Sequence, residues 1–479
     1  MESRKAHCFW NNTVQEYVDS SATPGWSSRF PVGNPIQTHR KLMFKTDDSC
    51  WLTSGEQSEV LAQLIDFNCG LIKWDNNRKL PLKAGGTTDV YINVREARNC
   101  PKACRFLAEV YANPLRRLRV DRFAEIPDSV SCFAGMLAEE IDRPFITLRD
   151  APKEARVAKA TMIGEIRKGE RVCLIDDVIT TGISKLGPFR TLLGLPVTHL
   201  PIVVFVDRQQ GWKKGFAETG IASEVWPAMT LHDVRKFLVT SGLIRRCDPA
   251  AEEKNPIIVA LDGKDWEDVL AVIDPLRTTG CILKVNDLLW ARGFDRLLPD
   301  LSVYGRVMAD IKGHDIPNTL ENISKRLLLN PPWAVTVHGS GGEKMIKSVV
   351  DVLKGTPTKV LVVTVPTSID LVTSKEIYHR VPLDQVKTLA AIGDRAGAHG
   401  FVCSPQEVGE LRALYPNKTF VTPGVRSPGV EVGDQARVDT PANAIQNGAT
   451  HLVMGRQILG AKDPVVEVNR ALREELKLA

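Results

Sequence analysis

From Pro256 to Arg456 the sequence repeats one unit eight times: a short apolar run followed by a stretch with helical spacing. The runs read "PIIVALD", "CILKVN", "RVMADIK", "WAVTVHG", "KVLVVTVPT", "GFVCS", "TFVTPG" and "HLVMGR". Runs this short and this apolar fit strands buried on both faces, and strands joined through helices lie parallel. Eight such units in about 220 residues meet the requirement of a closed (β/α)8 barrel. Barrels of this kind carry their chemistry at the C-terminal ends of the strands. Charged or polar residues stand at those ends here: Asp262, Lys284, Asp310 with Lys312, His338, Thr367 with Ser368, Arg426 and Arg456.

A chain of 479 residues is longer than one typical domain. Residues 1–45 are polar, with isolated Trp10 and Trp26 and no clear period; they read as a poorly ordered extension without an assigned role. From Glu56 the spacing of Val60, Leu61, Leu64, Ile65 and Leu71 predicts an amphipathic helix. Strand-like and helical segments then alternate as far as residue 245, so a second α/β domain is expected over 46–245. The polar stretch "RRCDPAAEEKN", which contains Pro249, supplies a linker over 246–255, and the barrel follows over 256–479. The net charge of +5 is spread without a Lys/Arg block, which argues against a nucleic-acid binder and suits pockets for anionic substrates. No apolar run approaches the ~18 residues of a membrane span, and the opening residues lack the layout of a secretion signal. Ten scattered cysteines without zinc-ligand spacing predict reduced thiols, no metal site and a cytoplasmic protein.

The chemical centre of the barrel is "DIKGHDIPNT", residues 310–319. Asp310 and Lys312 are two apart on a strand and share one face, the barrel mouth. Asp315 follows on the loop and Lys284 ends a neighbouring strand, so two lysines and two carboxylates hold one another charged. A second constellation suits a phosphate dianion. The loop "TPGVRSPGVEVGDQ" offers Arg426 and Gln435, and "MGRQI" offers the Gly455 backbone and Arg456. They follow the seventh and eighth strands, where this barrel usually binds phosphate.

Taken in order, "VALD", "LKV", "DIKGHDIPNT", "VHGSGG", "VTPGVRSPGVEVGDQ" and "MGR" resemble the bacterial type of orotidine 5'-monophosphate decarboxylase over Pro256 to about Leu472. An Asp-x-Lys-x-x-Asp string alone is shared with aldolase-like barrels; the Asp-Ile-Pro-Asn-Thr continuation and the Pro-Gly-x-Arg loop are far more specific. The resemblance implies that Lys284, Asp310, Lys312 and Asp315 form a charged tetrad. Asp310 would crowd the substrate carboxylate, and Lys312 would protonate the carbanion at C6. It further implies ribose contacts from Asp262 and Lys284, a pyrimidine contact from Ser368 beside Thr367, and phosphate contacts from Gln435, Gly455, Arg456 and Arg426. Asp315 and Thr319 would reach a neighbouring subunit's site, which implies a homodimer. No cofactor is implied. Asn286, where the family usually has glycine, and Gly313, where an aromatic is common, depart from the pattern.

In the first half, "RVCLIDDVITTGIS" joins an apolar strand to two acids and a Thr-Thr-Gly turn. Asp176 and Asp177 can hold two ribose hydroxyls, while Thr180, Thr181, Gly182 and Ser184 can cradle a 5-phosphate. The string resembles the phosphoribosyl-diphosphate motif of type I phosphoribosyltransferases. Around it, "LKAGGTTDVYINVR" with Lys83, "VFVDRQQG" with Arg208 and "LRDAPKEARVAKATMIGE" with Arg149 and Lys153 resemble orotate phosphoribosyltransferase over residues 56–245. The resemblance implies a doubly wound domain that takes orotate and phosphoribosyl diphosphate with Mg²⁺. Asp150 in the catalytic loop and Asp128 in "AEIPDSVSCFAG" depart from that family. The two resemblances together imply a bifunctional enzyme making UMP; the alternative is a decarboxylase whose first half is an inactive sensing or dimerising module.

Overall fold

The computed structural model describes residues 50–76, 80–81, 87–148, 162–430 and 437–478. The chain divides into two compact units, Met1–Val234 and Arg235–Ala479. That division falls inside the helix Leu231–Thr240, ahead of the expected linker. Nor is 246–255 irregular: it holds the helix Pro249–Lys254, capped by the Asp248 side chain on the Ala250 N–H. Pro249, read from sequence as a breaker, is the first residue of that helix, where its missing N–H leaves nothing unsatisfied. The extension 1–45 lies outside the described residues.

The second unit is a closed barrel of eight parallel strands. They are β1 (Ile257–Ala260), β2 (Ile282–Val285), β3 (Val307–Gly313), β4 (Ala334–His338), β5 (Lys359–Val363), β6 (Gly400–Val402), β7 (Thr419–Thr422) and β8 (His451–Met454). All eight apolar runs became strands, and β8 closes on β1 with Leu452 opposite Ile257. The period of two sorts the side chains into two cores. Ile258, Ile282, Met308, Ala334, Leu361 and Val421 fill the interior. Their neighbours Ile257, Val259, Leu283, Val335, Val360 and Phe420 pack outward beneath the helices. Two residues beyond that interior layer lie Ala260, Lys284, Asp310, Thr336 and Val363, and the same alternation therefore delivers them to the mouth.

β3 breaks the rule once. Its register against β4 shifts between Ala309 and Gly313, and Lys312 adopts φ +47°. A bulge that places a lysine in the left-handed region re-aims the side chain at a local conformational cost.

In the first unit, parallel strands lie in the order Val225–Thr230, Ile202–Asp207, Arg171–Ile179, Arg122–Glu125, Phe145–Leu148, with Met162–Ile163 antiparallel at the edge. Among the parallel strands Arg122–Glu125 comes first in the chain and Arg171–Ile179 third, and the winding reverses between them. Open α/β sheets bind ligands beyond the carboxyl ends of the strands at such a point. The helix expected from Glu56 spans Ser54–Asp66, with Thr53 and Glu56 forming a capping box.

Candidate active site

The mouth of the barrel encloses a cavity of about 560 Å³. Asp262, Lys284, Asp310, Lys312, Thr367, Ser368, Arg426, Gly455 and Arg456 all line it, together with His338. One carboxylate organises the charged side. Asp310 Oδ2 accepts from Lys284 Nζ at 3.1 Å and from Lys312 Nζ at 2.5 Å, while Lys284 also donates to Asp262 Oδ2 at 2.6 Å. Burial alone would raise the Asp310 carboxyl, but Lys284 and Lys312 outweigh it and hold it below the ordinary carboxylate range. Burial works against the Lys284 ammonium too, and Asp310 and Asp262 overcome it to leave that lysine raised. The array runs from a buried lysine to an accessible one: the side chains of Lys284 and Lys312 are 7% and 44% exposed.

Sequence reasoning missed Thr336. Fully buried in the interior, it donates its hydroxyl to Asp310 Oδ1 at 2.8 Å and accepts the Lys312 N–H at 2.9 Å. It thus fixes the carboxylate and the left-handed turn together. A threonine inside "AVTVH" looks like an ordinary strand former; its position two residues before His338, on the inward face, was the available signal. Arg437 was missed as well. Buried, it donates to Val365 O at 3.0 Å and Pro366 O at 2.8 Å and pairs with Glu407, which holds the strand-end loop that carries Thr367 and Ser368. Asn286 does not need glycine's freedom, at φ −128°, and its amide donates to Asp310 O. At Gly313 a Cβ would stand 2.5 Å from Leu320 Cδ1, so a side chain there would need the end of the Leu320 side chain to move.

His338 ends β4 with its ring 5.6 Å from that of His314. Burial, then His314 and Lys312, push its pKa down against the pull of Asp310, so it faces the cavity as a neutral ring near pH 7. Gly455 caps the short helix Arg456–Leu459 after β8, and the Arg426 N–H donates to Asp439 O. Asp315 and Thr319 are not brought to this cavity: Asp315 is exposed beyond β3, with Oδ1 on the Ile316 N–H, and Thr319 lies in the helix that follows. Gln435 lies outside the described residues.

The first unit assembles its own cluster. Asp176 and Asp177 lie near the C-terminal end of Arg171–Ile179, at the reversal of winding, ahead of the Thr180–Gly182 turn. Gly182 has φ +79°, and a Cβ there would strike the Phe216 ring at 2.6 Å, so the turn requires glycine. Lys185, in the first turn of the helix Ile183–Leu193, pairs with Asp176 Oδ2. Arg95 Nε lies 3.7 Å from Asp177 Oδ2. Burial pushes the Asp177 carboxyl up against the pull of Arg95, and brings the Lys185 ammonium down to about 8. Neither cation was singled out from sequence. Arg208 follows Ile202–Asp207, its N–H on Ile179 O at 2.9 Å. Lys83, Arg149, Lys153 and Asp150 lie outside the described residues, as does the Ser184 side chain. The nine described cysteines are free, no described helix is long and apolar enough to cross a membrane, and no metal-holding group occurs among the described residues.

Residues 255–471 match the model of the orotidine 5'-phosphate decarboxylase / HUMPS family. Orotidine 5'-phosphate decarboxylase of Aliivibrio fischeri (strain MJ11) is 37% identical over 229 residues, 46% of this chain and 98% of that protein. The enzyme of the same name from Marinomonas sp. (strain MWYL1) is 37% identical over 224 residues, 46% of this chain and 95% of that one. Among solved structures, orotidine 5'-phosphate decarboxylase from Lactobacillus acidophilus matches at 32% identity and TM-score 0.40, over 46% of this chain and 98% of that one. Leishmania donovani UMP synthase matches at 30% and 0.34, over 40% and 39%.

Proposed function

From the premise that this chain belongs, through residues 255–471, to the orotidine 5'-phosphate decarboxylase / HUMPS family, we propose that the barrel converts orotidine 5'-monophosphate to UMP and carbon dioxide. The observation that carries this reading is the Asp262–Lys284–Asp310–Lys312 array lining the same cavity as Gly455 and Arg456. The phosphate sits on Arg456, the Gly455 N–H, Arg426 and Gln435; Asp262 and Lys284 hold the ribose hydroxyls; Thr367 and Ser368 meet the pyrimidine edge. The substrate carboxylate then faces Asp310, which its lysines keep ionised. The C6–carboxylate bond breaks, carbon dioxide departs, and the electron pair stays on C6. Lys312 Nζ delivers its proton there and becomes a neutral amine until solvent recharges it. Fixed charges in a shaped cavity suit this step, because they stabilise developing charge without reorganising. Asp315 and Thr319, placed away from their own cavity, serve the partner subunit of a homodimer.

For the first unit the reading is orotate phosphoribosyl transfer. Orotate N1 bonds to the ribose C1 of phosphoribosyl diphosphate as the bond from C1 to pyrophosphate breaks and the N1 proton passes to solvent, and the orotidine monophosphate formed is the barrel's substrate. The acid pair and Thr180–Gly182 turn at the winding reversal support this, in a cytoplasmic, multifunctional enzyme. Mg²⁺ was expected beside the diphosphate sugar, yet Asp176 and Asp177 already face Lys185 and Arg95, a donor set that suits a divalent cation poorly. The same pairing favours the second reading, in which this unit senses or dimerises without turnover. One assay separates them. Purified chain with orotidine monophosphate should release carbon dioxide and UMP. With orotate and phosphoribosyl diphosphate it makes UMP only if the transferase reading holds.

A further inference from the structure

We propose that the acid pair of the first unit carries its own counter-cations, Lys185 and Arg95, and so takes a pentose 5-phosphate ester without a divalent metal. This rests on the phosphoribosyl reading of the unit and specifies how the site is charged. Two adjacent carboxylates at a strand end would repel an anionic ligand, and a divalent cation is the usual remedy. Here each acid has a cation of the same chain. Lys185 pairs with Asp176, with side chains 8% and 1% exposed. Arg95 stands by Asp177, with side chains 52% and 14% exposed. Two acids and two bases leave the cluster formally neutral.

The position of Lys185 is otherwise hard to rationalise. A cation in the first turn of a helix opposes the helix dipole, and a buried ion pair adds little net stability. An anion at the Thr180–Gly182 turn reverses that balance, since it would meet both the helix N-terminus and the positive charge of Lys185 in the helix's first turn. Tyr111 completes the floor: fully buried, it donates its hydroxyl to Asp176 O at 2.7 Å and so fixes the strand that bears both acids. Arg95, half exposed, stays within reach of solvent and ligand.

The test is calorimetric titration of the full chain carrying Arg456→Ala, to silence the barrel's phosphate seat, with ribose 5-phosphate and with phosphoribosyl diphosphate. Each titration is run in EDTA and in MgCl2. The affinity for either ligand is expected to agree within about threefold between the two conditions, whereas Lys185→Gln should weaken binding in EDTA by about tenfold or more, with Mg²⁺ restoring it. Lys185→Gln combined with Asp176→Asn removes both charges and should return metal independence, which guards against a single variant that folds poorly. Binding by the Lys185-containing chain that disappears in EDTA overturns the inference and leaves the phosphoribosyl reading standing. Lys185→Gln behaviour indistinguishable from its parent overturns the role of Lys185. No binding of either ligand under either condition overturns the phosphoribosyl reading, and the inference with it.

Discussion

Each half of the chain sets a lysine against an aspartate at the end of a parallel strand, and the two pairs are built for different ends. In the barrel, Lys284 and Asp310 form the buried part of a series that finishes on Lys312, an ammonium nearly half exposed in a cavity. In the first unit, Lys185 and Asp176 close on each other, with both side chains almost wholly buried. On the proposed readings, the same two residue types supply a proton donor in one place and a neutralised floor in the other. What separates them is the third charged group: Lys312 extends the barrel's series outward, whereas Arg95 completes the first unit's neutrality.

The contrast is broken most directly by removing one lysine from each half. Lys312→Ala should cut decarboxylation by at least the ~10²–10⁴-fold typical of a lost proton donor, with an unchanged circular dichroism spectrum. Lys185→Ala should instead cost about 3–5 kcal/mol of stability by leaving a buried charge uncompensated, read as a lower denaturant midpoint. If turnover survives the first change, Lys312 is no donor and the comparison fails. Next in size is Arg456→Ala, expected to weaken UMP binding by about 2–4 kcal/mol in a titration, where a surface arginine would register less than ~0.5 kcal/mol.

Thr336→Val sharpens the barrel side. It should cost about 1–3 kcal/mol at neutral pH by removing a hydrogen bond to a buried carboxylate. The folded state depresses the Asp310 pKa, so its contribution is fully present above the unfolded value near ~3.9 and lost as pH falls through the folded value. The Thr336→Val deficit should therefore shrink in acid; a deficit independent of pH would assign it to packing alone. The smallest effect tests the dimer. Asp315→Asn and Lys312→Ala chains, each inactive, should recover about a quarter of wild-type activity when subunits exchange, because half the dimers are mixed and each holds one intact site. No recovery despite exchange would place Asp315 in its own chain's site.

The barrel was readable because strands buried on both faces leave uninterrupted apolar runs, and because inward alternation fixes which residues reach the mouth. Lys284 and Asp310 reach the cavity for that reason, and seven more of the residues expected around the substrate line it from the β3 bulge and the loops beyond the strand ends. What escaped was set by three-dimensional neighbours. Thr336 is a plain strand residue until Asp310 lies beside it, and in the β3 bulge it is Lys312, not the adjacent Gly313, that takes the left-handed conformation. Lys185 is one residue beyond the string that drew attention, and a lysine in a helix ordinarily faces water. Pro249 misled in the opposite direction, since the same residue that stops a helix also starts one.

The left-handed turn at Lys312 bears on how the enzyme should age under heat. A flexible side chain on a regular strand could lose its aim well below the melting point, so that activity faded first. Here the direction of the ammonium is set by main chain whose N–H is tied to a neighbouring strand through Thr336. That tie lasts as long as the barrel's strands stay paired. Thermal inactivation of the decarboxylase and melting of the barrel are then one event, and warming a sample toward its midpoint changes how many molecules work rather than how well each one does.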